Sequence, residues 1–149
     1  MSDADIPQQL LRAWTRLMRV HQQVTLALEA AFKAAGLPPL VWHDVLIELA
    51  HAPGHRLRPV EMVGVLNMAQ YNLSRLLDRM VDAGLVARAP CDDKRGHWIV
   101  LTATGLKRQK EMYGIYVRVL MQDMGAHLGE DSARKLSRQL GKVLSQPEA

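Results

Sequence analysis

The sequence predicts a mainly helical α+β chain in which amphipathic helices surround one small β-hairpin. Apolar residues recur at three- and four-residue steps over most of the 149 residues, which places them along one face of successive helices. The run from Leu85 to Leu101 breaks that rhythm. Its two short apolar, partly β-branched stretches, Leu85 to Ala89 and His97 to Leu101, flank polar Cys91 to Gly96, as strands flank a hairpin loop. Charge is also unevenly placed. Gly54 to Lys110 holds ten Lys and Arg against five acids, leaving nine basic and ten acidic residues elsewhere, for a net charge of +4.

The first helix is expected to start at Asp5-Ile6-Pro7-Gln8. Asp5 can accept from backbone amides there, proline is tolerated in the first turn, and Gln8 stands three residues on as in a capping box. Leu10, Leu11, Trp14, Leu17, Met18, His21, Val24, Leu28, Ala31, Phe32 and Ala35 form one stripe that stops at Gly36. At 1.5 Å per residue this helix is about 40 Å long, more than a small domain covers, so it is expected to reach past its own subunit's core. Pro38-Pro39 breaks the chain. A second helix then runs from Trp42 to Ala50, with Val45, Leu46 and Leu49 inward, and ends at Pro53-Gly54.

His55 to Leu57 reads as a short strand that pairs with the hairpin, and Pro59 opens a helix through Leu66 with Val60, Met62, Val63 and Leu66 as its core candidates. Asn67-Met68-Ala69 turns into a helix from Gln70 to Ala83, held down by Leu73, Leu76, Leu77 and Met80. Its other face carries Gln70, Tyr71, Asn72, Ser74, Arg75, Asp78 and Arg79. Two helices joined by so short a turn and followed by a hairpin make a winged helix-turn-helix. After the hairpin, Ala103 to Met124 forms a long helix with Leu106, Gln109, Met112, Tyr113, Tyr116, Val117, Leu120 and Met124 as its stripe. A last helix has Glu130 and Asp131 in its first turn and Ala133, Leu136, Leu140, Val143 and Leu144 on one face.

Leu73 to Gly105, with Arg75, Gly84-Leu85-Val86, Arg88, Asp93-Lys94-Arg95 and Leu101-Thr102-Ala103-Thr104-Gly105, resembles the winged helix-turn-helix of the MarR family of bacterial transcription regulators. The likeness runs from about Pro7 to Leu144. One departure is Ala69, where the family often has a serine or threonine that caps the recognition helix. The resemblance implies a single subunit over residues 1–149, with a winged DNA-binding region at 37–102 and helical dimerisation regions at 5–36 and 103–146. It implies a homodimer on a pseudo-palindromic double-stranded operator, most often acting as a repressor.

The DNA contacts expected are Arg58, Gln70, Tyr71, Asn72, Ser74, Arg75, Arg79, Arg88, Asp93, Lys94 and Arg95. Polar side chains on a helix suit the major groove, and a basic side chain on a projecting hairpin suits the minor groove. Arg95 is expected to enter that groove while Asp93 helps to hold the loop. Trp14, Met18, His21, Trp42, His43, Leu46 and Tyr113 are the candidates for a small aromatic or phenolic ligand, against the plainer reading that they pack a core.

No catalytic motif is present: His-Glu-x-x-His, a glycine-rich phosphate loop, Gly-x-Ser-x-Gly and Cys-x-x-Cys are all missing. Neither a cofactor nor a metal is expected, since Pro53-Gly54 prevents His51 and His55 from sharing a helix face. One cysteine, Cys91, excludes an intrachain disulfide and is read as an unreactive wing thiol. With no leader-like start and no apolar run that spans a bilayer, the protein is expected in the cytoplasm, away from membranes. Two other readings stay open from sequence: a dimeric winged-helix module that works through protein contacts without DNA, and a small helical enzyme.

Overall fold

The structure, a computed structural model, describes residues 6–66, 68–93 and 96–144. In chain order its elements are α1 (Gln8–Ala34), α2 (Leu40–His51), a 3-10 turn (Pro53–His55), β1 (Arg56–Leu57), α3 (Pro59–Leu66), α4 (Gln70–Asp82), β2 (Val86–Pro90), β3 (His97–Leu101), α5 (Ala103–Leu120), a π-turn (Met121–Gly125) and α6 (Glu130–Gly141). The chain forms two compact units, one from Thr25–Ile115 and one from Met1–Val24 with Tyr116–Ala149.

The unit Thr25–Ile115 holds the core. Phe32, Val45, Leu46, Leu49, Met62, Met80, Ile99 and Met112 are wholly buried, and His43 joins them from α2. The antiparallel sheet has the order β1-β3-β2, with Leu57 opposite Ile99, Val86 opposite Leu101 and Arg88 opposite Ile99. Alternation along the strands sends Val86, Ile99 and Leu101 inward and leaves Trp98 and Val100 half-buried on the other face. At the start of α3, Pro59 occupies the position where a missing amide costs nothing, and Glu61 Oε2 accepts the Arg58 N–H at 3.2 Å.

The wing is closed at its base. Gly84, at φ 76°, ends α4, with the Leu85 N–H donating to Met80 O at 3.0 Å and the Gly84 N–H to Val81 O at 2.9 Å. This αL closure satisfies carbonyls that a helix end otherwise leaves open. Thr102 then joins both strands to α5. Its hydroxyl lies 2.7 Å from Gly84 O and 3.0 Å from Leu85 O as donor, and accepts the Gly105 N–H at 2.9 Å as the cap of α5. Gly105 packs so closely that a Cβ there would stand 2.0 Å from the Leu85 carbonyl oxygen.

In the second unit, Gln23 Nε2 donates to Asp123 Oδ2 at 3.4 Å. The apolar stripes of this unit face outward in the single subunit: Leu10, Leu11, Trp14, Leu17, Met18, Leu136, Val143 and Leu144 are all exposed, Trp14 by 59%.

Several expectations are corrected. Helix α1 begins at Gln8, and Pro7 lies before it, accepting the Leu10 N–H at 2.9 Å through its carbonyl; Asp5 is outside the described residues. His55 belongs to the 3-10 turn, with φ 52°, and not to β1. Val60 is 75% exposed because it stands two residues from Met62, about 200° around so short a helix. Helix α5 stops at Leu120, where the chain widens and the Ala126 N–H bonds to Met121 O at 2.9 Å, five residues back. On α5 Gly105, Gln109, Met112 and Val119 are buried, while Tyr113 and Val117, one step past the inward line, are exposed.

Two predictions follow from this packing. Gly105→Ala is expected to lower stability by about 1–3 kcal/mol, the usual effect of forcing extra volume into a filled site. Gly114→Ala, in the same helix with nothing within 4 Å of its Cβ position, is expected to raise it by about 0.5–1 kcal/mol. Urea midpoints of the two variants check this. The second concerns His43, whose pKa burial lowers from 6.5. The unfolded chain therefore takes this proton before the folded one, and stability declines as pH drops below 6.5. Asp44, raised above 3.8 by burial and by Glu48 and Glu29, works in the opposite sense at lower pH. His43→Gln is expected to flatten the decline just below 6.5 in a pH series of denaturation midpoints.

Candidate nucleic-acid interface

Helix α4 is built for one buried and one open face. Leu73, Leu76, Leu77 and Met80 are buried, whereas Gln70, Tyr71, Asn72, Ser74, Arg75, Asp78 and Arg79 are exposed. Ala69 precedes the helix in extended geometry, with no side chain capping it, as its identity indicated. One turn along, Arg75 lies with its guanidinium 4.8 Å from the Tyr71 ring centre. That contact orients a long side chain that would otherwise wander. Asn72, Arg75 and Arg79 come together around a shallow cavity of about 280 Å³, which Val41, Met68 and Leu76 complete.

The hairpin is attached to that helix by charge as well as by packing. Arg88 Nη2 on β2 meets Asp78 Oδ1 on α4 at 2.5 Å, so one expected DNA contact is bound to the flank of the helix beside it. At the other edge, Arg58 Nη1 meets Asp93 Oδ2 at 3.2 Å. The Trp98 ring lies 4.3 Å from the Arg56 guanidinium and 5.0 Å from that of Arg58. Arg56 and Trp98 escaped the sequence reading. The signal that finds them is alternation: Arg56 and Arg58 are two residues apart at an edge strand, so they share a face. Cys91 is buried at the end of β2. Lys94 and Arg95 lie outside the described residues, and the sequence expectation for them stands as such.

The candidates for ligand contacts are divided. Leu46 and His43 are buried, Trp42 is half-buried and Tyr113 is exposed in the unit Thr25–Ile115. Trp14, Met18 and His21 belong to the other unit, all exposed. Burial disfavours the charged form of the His43 imidazole. Among the described residues no three His, Cys, Asp or Glu side chains gather as metal ligands, and no helix is long and apolar enough to cross a membrane.

Known proteins share this fold. The sequence profile of the MarR family matches residues 35–96, which take in α2 to the hairpin loop. The multiple antibiotic resistance protein MarR of Escherichia coli (strain K12) is 36% identical over 87 residues; that match spans 58% of this chain and 60% of the relative's length. Among solved structures, AbsC of Streptomyces coelicolor, a MarR family transcriptional regulator, superposes with a TM-score of 0.84 at 24% identity, covering 93% of both chains. A mutant MarR from E. coli complexed with operator DNA superposes with a TM-score of 0.79 at 26% identity, covering 95% of this chain and 99% of that one. The winged fold, the profile match over residues 35–96 and these relatives agree in a likeness to the MarR family.

Proposed function

We propose that the protein is a homodimeric transcriptional regulator that binds double-stranded DNA at a pseudo-palindromic operator. It acts in the cytoplasm, as a repressor and without catalysis. The observation that carries this reading is the open polar face of α4, with Arg75 and Arg79 beside a hairpin that is ion-paired to the same helix. A mutant MarR with which this chain shares 26% identity over 95% of its length was solved complexed with operator DNA.

In this reading the interface comprises Arg58, Gln70, Tyr71, Asn72, Ser74, Arg75, Arg79, Arg88, Asp93, Lys94 and Arg95. Helix α4 enters the major groove, where amide and guanidinium groups distinguish base pairs by their donors and acceptors. Arg95 enters the minor groove, whose narrow walls concentrate negative potential and whose occupant must shed water readily, as a guanidinium does. The basic excess of Gly54 to Lys110 supplies the sequence-independent part of the affinity.

Residues 37–102 form the DNA-binding region, and residues 5–36 with 103–146 form the dimerisation region. The exposed stripe of Leu10, Leu11, Trp14, Leu17 and Met18 and that of Leu136, Val143 and Leu144 support this division, because contiguous apolar surface is buried by a second copy in a two-fold interface. A small aromatic or phenolic ligand releases the DNA. It does so by favouring a dimer whose recognition helices no longer match the groove spacing.

Mobility shifts on duplex DNA over a range of salt test the reading, with affinity expected to fall steeply as salt rises. Arg75→Ala is expected to lose about 1–3 kcal/mol on the preferred duplex, with a smaller loss on unrelated duplexes if it reads a base. Equal affinity of variant and parent on every duplex would move the interface off α4. Leu136→Asp with Leu140→Asp is expected to yield monomers in analytical ultracentrifugation, since charge is costly in an apolar seam; an intact, DNA-binding dimer would reject the proposed seam.

A further inference from the structure

Arg58 is engaged at both its backbone amide and its guanidinium. Its backbone N–H is held by Glu61 Oε2 at 3.2 Å at the head of α3. Its guanidinium meets Asp93 Oδ2 at 3.2 Å and lies 5.0 Å from the Trp98 ring centre. Trp98 is in turn covered by Arg56 at 4.3 Å. Arg56 and Arg58 come from β1 and the start of α3, Trp98 from β3 and Asp93 from the hairpin loop. The cluster thus fastens the loop to the head of the helix-turn-helix.

We propose that Arg58 is a positioning residue for the wing loop: it acts on DNA through Asp93, and its own charge does not engage a phosphate. This rests on the DNA-binding reading given above and refines it. The chemistry favours this role. A guanidinium already paired with a carboxylate presents little net charge to a phosphate, and a phosphate that captured it would have to take it from Asp93. Its planar shape serves two contacts at once, stacking on the indole and donating to the carboxylate at its edge, which an ammonium does less well. Trp98 is the surface against which this geometry is set, and Arg56 lies against the same ring, 4.3 Å from its centre. Arg58, Trp98 and Asp93 are thereby linked across 40 residues of sequence that include all of α3 and α4.

Salt dependence separates a positioning residue from a phosphate contact. Each phosphate contact contributes about 0.9 to the slope of log affinity against log salt. The parent is first titrated on the duplex it enriches most strongly from a randomised duplex library. Arg58→Ala is then expected to bind that duplex about three- to tenfold more weakly, the range of an exposed ion pair with a cation–π contact, with the parent's salt slope retained. In an Asp93→Asn background the same replacement is expected to cost nothing further, because the partner through which it acts is already gone. Arg58→Lys is expected to recover part of the affinity. Melting temperatures close to the parent's establish that the fold is intact.

A slope flattened by about 0.9 in Arg58→Ala would overturn the proposal and make Arg58 a phosphate contact. A full loss repeated in the Asp93→Asn background would overturn it too. In both cases DNA binding itself would stand. A parent that enriches no duplex would instead reject the DNA-binding reading, and this proposal with it.

Discussion

The joint at the foot of the wing governs the rest of this fold. Thr102 Oγ1 reaches the carbonyls of Gly84 and Leu85 and receives the Gly105 amide, so the end of α4, the start of β2, the end of β3 and the head of α5 meet at one hydroxyl. Gly105 lets α5 approach the Leu85 carbonyl to a distance that no side chain permits. Because α4 ends in the same few residues, its direction and that of the hairpin are set together. In the proposed interface a helix and a wing fit two grooves of one duplex, and such a pair needs that shared origin more than it needs strength in either part.

Packing, and not charge, supplies the energy of this arrangement. Met62, Met80, Ile99 and Met112 are wholly buried under α3, α4, the sheet and α5, whereas both ion pairs that attach the hairpin are substantially open to solvent. Exposed pairs contribute on the order of 0–1 kcal/mol each. Their value lies in direction: Arg88 with Asp78 and Arg58 with Asp93 select among orientations of a wing whose existence the core has already secured.

The fold was largely legible because its signals are local. Helical spacing located α2 to α4, and two apolar, partly β-branched runs around a polar tip located β2 and β3 to within a residue. Misplaced boundaries have physical causes. Pro7 was read as a first-turn residue and lies just before the helix, a difference of one hydrogen bond. Val60 looked like core because valine in an apolar helix usually is, but a helix of eight residues has one inward line and Met62 occupies it. Side-chain partnerships were the least legible. Arg58 was legible as a basic residue near the wing, but its pairing with Asp93 and its contact with Trp98 join three segments that only the folded sheet brings together. Burial of His43 likewise depends on neighbours from other elements.

Helix α4 is finished differently at its two ends. Gly84 closes the carboxy-terminal end with two backbone bonds, while Ala69 has no side-chain oxygen to cap the amides of the first turn. A missing cap of this kind is worth about 1 kcal/mol. The helix is therefore like a beam clamped at one end, with compliance increasing toward Gln70, Tyr71 and Asn72. Side chains near the clamp, such as Arg79, keep a fixed bearing. Those at the free end follow small irregularities in whatever surface they meet.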